Sequence, residues 1–365
     1  MSEYEHCFCP NEQCTDYGLR SQGNIAVRGK YGKDNSRDLL YCRTCGKRFA
    51  ATHSSALFGL HLPAETIRLI IHHAAEGVGV RATARLLAMD KDTVNRVILR
   101  AGEHCTQVLS GLLASLELTE AQLDELWTFV KKKKTSGSAE DLEHHYGRTW
   151  IWTAIDAPTR LIITFWIGGR ELDDARHMLK DLTARCHDKP LFVSDELPHY
   201  GNVLEELFHD LVPPPPTGKP GRPRNPERVI AADLDYATVH KTRQDGQVIK
   251  VERKVVHGSE RRIFERLAQS PSQTINTAYV ERSNLDWRLW DAHLARKAPT
   301  VARSLRWLKA KFAICVACYN LIRPHETLSR GMDRIFRPKT PAMAAKVTDH
   351  QWTFSELQAY PALCQ

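Results

Sequence analysis

The chain has 365 residues, enough for two or three domains, and its 42% hydrophobic content is that of a globular protein. No apolar run approaches the ~20 residues that span a bilayer, and the acidic, cysteine-bearing start lacks a signal-peptide pattern, which excludes a membrane partner and points to the cytoplasm. The formal net charge of +8 favours a polyanionic partner.

Five of the ten cysteines fall before residue 46, a grouping that in a reducing compartment points to metal binding. Cys9 and Cys14 form one close pair and Cys42 and Cys45 a second, and four thiolates complete the tetrahedral shell of a structural Zn²⁺. Cys7 is an alternative to Cys9 as ligand. The segment 23–40 between the pairs is polar and basic, so the metal is expected to fold this zinc-ribbon module, residues 1–55. From Pro63 the periodicity turns helical, with Ile67, Ile70, Ile71 and Ala74 on one face. A second helix is predicted over 81–88 and a third from the N-cap Asp90 to about His104, a helix-turn-helix domain within 56–110. With Val94, Val97 and Ile98 facing inward, Lys91, Thr93, Asn95, Arg96 and Arg100 are left for a DNA groove and its phosphates.

A β-branched and aromatic run carries Asp124 on a strand that leads into four lysines, and strands over 149–155 and 160–167 follow, joined by a turn at Asp156. Asp156 is read as a turn residue bonding its own backbone. A helix over 172–186 precedes a short strand ending at Asp195. Three strands, a helix and a fourth strand, with carboxylates on the first and fourth, is the opening order of a ribonuclease H-like α/β fold, a mixed sheet flanked by helices. Because adjacent strand residues face opposite ways, only one of Asp124 and Glu125 is expected in a site. The Pro-rich stretch 212–224 is a linker or an arm placing Arg222 and Arg224 in a minor groove. A hairpin around Asp245-Gly246 follows, its basic residues able to track a DNA backbone, within an insertion at about 211–275. Glu281 then opens a helix on which Asn284 and Arg288 share its face, so an arginine lies two turns from a metal-binding carboxylate, suited to a phosphate. Trp287, Trp290, Cys315 and Cys318 are read as packing residues, and an amphipathic helix is predicted over 301–321. The catalytic domain spans 118–340 and a tail 341–365. Three carboxylates from two strand ends and a helix make a set that two hard divalent cations, Mg²⁺ or Mn²⁺, would share.

In this order, the cysteine ribbon with Cys-Gly-Lys-Arg-Phe at 45–49, Leu62-Pro63, Leu-Asp-Glu-Leu-Trp at 123–127, Val-Ser-Asp at 193–195, Val-Glu-Arg-Ser-Asn-Leu at 280–285 and Tyr319-Asn320-x-x-Arg323-Pro324-His325 resemble the insertion sequence one family of DDE transposases, of the long single-frame type. The resemblance implies that Asp124, Asp195 and Glu281 are the metal-binding catalytic triad and that Arg288 fills the basic position seven residues after the glutamate. It implies a prokaryotic, nucleoid-associated enzyme that binds terminal inverted repeats in double-stranded DNA, cuts at the transposon ends and transfers the freed 3′-hydroxyls to target DNA. Handling two ends together calls for a dimer or higher oligomer. The alternative is a domesticated DNA-binding regulator with a silent catalytic domain; a ribonuclease H-like nuclease without strand transfer is a further rival.

Overall fold

The computed structural model describes residues 4–32, 35, 37–133, 137–213, 225–245, 247–295, 300–331 and 335–363. The chain forms two compact units: one contains residues 1–112, 306–324 and 350–365, the other 113–305 and 325–349. No described helix is long and apolar enough to cross a membrane.

In the first unit β1 (Ile25–Tyr31), β2 (Arg37–Cys42) and β3 (Arg48–Ala50) form an antiparallel sheet in the order β1-β2-β3. Its apolar core is small, with Cys7, Leu40 and Phe49 buried together against Tyr4, Ile25 and Ala51. Three helices follow, α1 (Ala64–Ala75), α2 (Val80–Leu86) and α3 (Lys91–Leu112). Ile67, Ile70, Ile71 and Ala74 are buried as their spacing predicts, and the Asp90 carboxylate accepts the Asp92 and Thr93 amides at 2.8 and 3.2 Å. The third helix is two turns longer than expected, because Ala101, Cys105, Val108 and Leu109 continue its buried face. The segment expected as one amphipathic helix over 301–321 is a helix Leu305–Ala317 and a π-helical turn Cys318–Ile322, and residues 310–322 are buried on every side, Cys315 and Cys318 among them. The expected tail 341–365 is divided between the units. Its second half returns to the first unit, where Gln358 O and Ser54 O accept the amides of Ala56 and Ala362 at 3.0 and 2.8 Å.

In the second unit β4 (Glu120–Val130) is followed by a short helix α4 (Ala139–Glu143), then β5 (Gly147–Asp156), β6 (Ile162–Gly168), α5 (Leu172–Arg185), β7 (Leu191–Ser194) and α6 (Pro198–Leu207). Asp156 closes the β5–β6 turn by accepting the Thr159 amide at 3.0 Å, as its turn reading predicts. A small pair, β8 (His209–Val212) and β9 (Glu227–Ile230), precedes the hairpin β10 (Tyr236–Gln244) and β11 (Gln247–His257), and α7 (Glu260–Ala268) and α8 (Ala278–Trp290) complete the region. The central sheet is mixed, six-stranded and ordered β11-β10-β7-β4-β5-β6; β4, β7 and β10 are parallel, while β5, β6 and β11 pair antiparallel. Of the hairpin expected within an insertion, β10 pairs with β7 inside the sheet and β11 forms its edge. The reason is apolar, since Ala237 and Val239 pack with Leu191, Val193 and, from α7, Ile263 and Leu267. A buried Asp235 held by Arg262 and Arg266 fastens α7 beside them. β7 is buried on both faces, as a central parallel strand should be.

Candidate functional site

The four cysteines expected to hold zinc lie together, with their sulfurs within 4.8 Å of one another. Cys9 and Cys45 are 3.5 Å apart and Cys14 and Cys42 3.9 Å, close to the ~3.8 Å edge of a tetrahedron built on Zn–S bonds of ~2.3 Å. Cys9, not Cys7, completes the set; Cys7 is buried in the apolar core and its thiol is pushed up to about 11 by that burial. The Lys47 amide and the Asn11 side chain bring the Cys45 thiol down to about 6. The Asp16 amide lies 3.4 Å from the Cys14 sulfur, and the Asn24 amide group 3.8 Å from that of Cys42. The cluster could hold a metal ion.

The acidic site is built outward from β4. Alternation puts Gln122 and Asp124 on one face of this strand. The Gln122 amide oxygen accepts the Tyr279 and Val280 backbone amides at 2.9 and 3.3 Å, capping the start of α8, and one turn beyond Glu281 the Asn284 amide donates to Asp124 Oδ2 at 2.8 Å. Two side chains of one strand thus dock the helix that carries Glu281. Asp195 arrives from the end of β7, whose parallel pairing with β4 sets Asp195 level with Asp124, and its carboxylate accepts the Leu197 amide at 3.0 Å. Asp124, Asp195, Glu281, Asn284 and Arg288 line one cleft of about 770 Å³. The three residues expected to share a helix face do share it, and all face the cleft. Trp287 is buried and packs edge-on against Trp290, as read.

Within the cleft the tightest acidic group is Asp124, Glu125 and Asp195, one carboxylate oxygen of each lying within 4.8 Å of the others, a set that could hold a metal. The exclusion of Glu125 by strand alternation is therefore corrected. β7 pairs with β4 only as far as Gln122, so beside Asp124 and Glu125 no described strand covers that edge of β4 and the longer glutamate reaches round. Burial, then the carboxylates of Glu125 and Asp195, push the Asp124 carboxyl up to about 7. Glu125 is also raised, by burial and by Asp195, against the opposing pull of Arg170 and Tyr200. Glu281 pairs with Lys241 of β10 and accepts the Thr277 hydroxyl, and Arg288 donates to Leu294 O at 3.1 Å.

Sequence reasoning missed Arg170, Lys241 and Tyr200. Each comes from a different element, and nothing in its local pattern marks it. On α3, Lys91 and Arg96 are exposed and Thr93, Asn95 and Arg100 partly so, opposite buried Val94, Val97 and Ile98; the Arg100 guanidinium lies 5.9 Å from the Phe58 ring. Arg222 and Arg224 lie outside the described residues. In comparisons with known proteins, no family model and no curated sequence matches the chain.

Proposed function

We propose that this protein is a DDE transposase with a ribonuclease H-like catalytic domain, which binds transposon terminal inverted repeats, cleaves the DNA there and joins the freed 3′-hydroxyls to target DNA. The observation that carries this reading is the convergence on one cleft of Asp124 from within a strand, Asp195 from just past a strand end and Glu281 from a helix. The strand order supports it as well: an antiparallel β4-β5-β6 meander is extended on its β4 side by two parallel strands, with Asp124 within the first strand of the sheet and Asp195 just past the end of the fourth.

The donor set suits a hard divalent cation. It offers oxygen ligands only, burial and the neighbouring carboxylates together push Asp124 to about 7, and the buried Asn284 amide oxygen in the same wall has no hydrogen-bond partner among the described residues. Asp124, Asp195 and Glu281 would hold two Mg²⁺ or Mn²⁺ ions, whose chemistry is to activate the attacking oxygen and neutralise the leaving one. The chain's own contribution is position and charge. Asn284 holds Asp124 against rotation, Leu197 holds Asp195, and Lys241, Arg170 and Arg288 line the cleft with positive charge for the phosphodiester. No covalent enzyme intermediate is needed. Zinc at Cys9, Cys14, Cys42 and Cys45 is structural, and α3 presents Lys91, Thr93, Asn95, Arg96 and Arg100 to the repeat in a helix-turn-helix mode. Engagement of two ends implies a dimer or higher assembly.

The test is cleavage and joining by purified protein on DNA carrying the inverted repeats that flank its gene, with Mg²⁺ and beside Asp195→Asn. Repeat-specific 3′-end cleavage and joining, lost in the variant, is expected. Tight repeat binding with no cutting by either protein points instead to a DNA-binding regulator.

A further inference from the structure

Glu125 and Glu196 line the cleft beside Asp124, Asp195 and Glu281, five acidic residues where three were expected. Glu125 is one of them, and its side chain is only 3% exposed. Its carboxylate is held at both oxygens: Arg170 donates to Oε1, with its Nε at 3.0 Å, and the buried Tyr200 hydroxyl donates to Oε2 at 3.1 Å. Arg170 is itself braced over the Trp150 ring at 4.5 Å. Arg170 donates to Oε1 through both Nε and Nη2, whereas Oε2 receives only the Tyr200 hydroxyl, so Oε2 retains a lone pair toward its neighbours. Those neighbours are the oxygens of Asp124 and Asp195, within 4.8 Å. In an octahedral shell at ~2.1 Å, ligand oxygens stand about 3.0 Å apart when adjacent and about 4.2 Å when opposite, and the three oxygens lie within 4.8 Å of one another.

A second observation points to the same ligand. The Asn284 side chain, 7% exposed, leaves its amide oxygen buried without a hydrogen-bond partner in the cleft wall while its amide nitrogen holds Asp124. A buried amide oxygen left unpaired is costly, and a bound cation satisfies it.

We propose that Glu125 is a direct ligand of the divalent cation shared by Asp124 and Asp195, pre-set by Arg170 and Tyr200. The inference rests on the metal-dependent reading above and deepens it. Glu281, drawn toward Lys241, belongs to the part of the site that the three clustered carboxylates do not reach.

Direct Mn²⁺ binding to the full-length, zinc-loaded protein, measured by calorimetry without DNA, tests the proposal. Glu125→Gln keeps the size and the acceptor oxygen for Arg170, its amide nitrogen donating to the Tyr200 hydroxyl instead of accepting from it, and is expected to weaken Mn²⁺ affinity at least tenfold, as is Asp195→Asn. Arg170→Gln is expected to leave the affinity within about threefold of wild type or to tighten it, because a repelling charge is gone. Glu125→Gln binding as wild type while Asp195→Asn fails overturns this inference alone. So does Arg170→Gln weakening binding as much as Glu125→Gln, which would make Glu125 a mere anchor for the arginine. Wild-type protein that takes up no Mn²⁺ overturns the metal-dependent reading with it. Should Glu125→Gln fail to fold, Glu125→Asp keeps the charge and withdraws the carboxylate by one methylene: at least threefold weaker binding supports the ligand role, and unchanged binding refutes it.

Discussion

Asp124 carries the most consequence per atom in this protein. Its carboxyl titrates near 7 because it is buried beside Glu125 and Asp195, against an ordinary value near 3.8. The folded state therefore holds this proton more tightly than the unfolded chain, so the contribution of Asp124 to stability falls as pH rises from about 4 to about 7 and is constant above that. Zinc-loaded protein free of other divalent cations is expected to lose melting temperature across that window relative to Asp124→Asn, whose curve lacks this component. Cation binding must displace the same proton. Mn²⁺ affinity should accordingly climb up to about tenfold per pH unit below 7 and level off above it, which calorimetry at several pH values checks. Asp124 is legible from strand propensity, a local signal, although it stands within β4 and not at its end. The participation of Glu125 is not legible, because alternation along β4 argues against it and only the early end of β7 makes it possible.

Among the elements, α3 shows how close packing constrains a helix that sequence periodicity places. Gly102 on this helix crosses the helix Leu305–Ala317 so closely that a Cβ built on it would lie 2.3 Å from the Ala310 carbonyl oxygen. Gly102→Ala must push backbone against backbone and is expected to destabilise the first unit by about 1–3 kcal/mol, read as a shift of its thermal transition. A glycine inside a helical pattern carries no such meaning until its partner is known. The ribbon makes the opposite case. Two close cysteine pairs are legible from spacing alone, and a core of Cys7, Leu40 and Phe49 is too small to fold the ribbon unaided. Replacing Cys42 and Cys45 by serine should reduce bound zinc from about one ion per chain to near none and abolish the ordered β1–β3 sheet, measured by metal analysis and amide hydrogen exchange.

For the whole molecule, a net charge of +8 is a statement about partners rather than fold. If α3 reads DNA, replacing Arg96 and Arg100 by alanine weakens repeat binding and lowers the salt slope by roughly one for each phosphate that the variant no longer neutralises. Mn²⁺ binding at the carboxylates is expected to stay unchanged in the same variant. Equal loss of both functions would instead indicate a general folding defect, and unchanged repeat binding would remove α3 from the DNA interface.

What the sequence determined by itself depends on neighbours a few residues away: the cysteine pairs, the buried face of α1, the Asp90 cap, the strand that carries Asp124, the strand end at Asp195, and the helix face shared by Glu281, Asn284 and Arg288. These follow from thiol spacing and from backbone periods of 2 and 3.6 residues. Only the tertiary structure decided that Cys9 rather than Cys7 joins the thiol cluster, that β10 enters the central sheet, that Gln122 caps α8 and that Glu125 stands beside Asp124 and Asp195. Each of these outcomes rests on which apolar surfaces bury one another. Local periodicity bears no record of it.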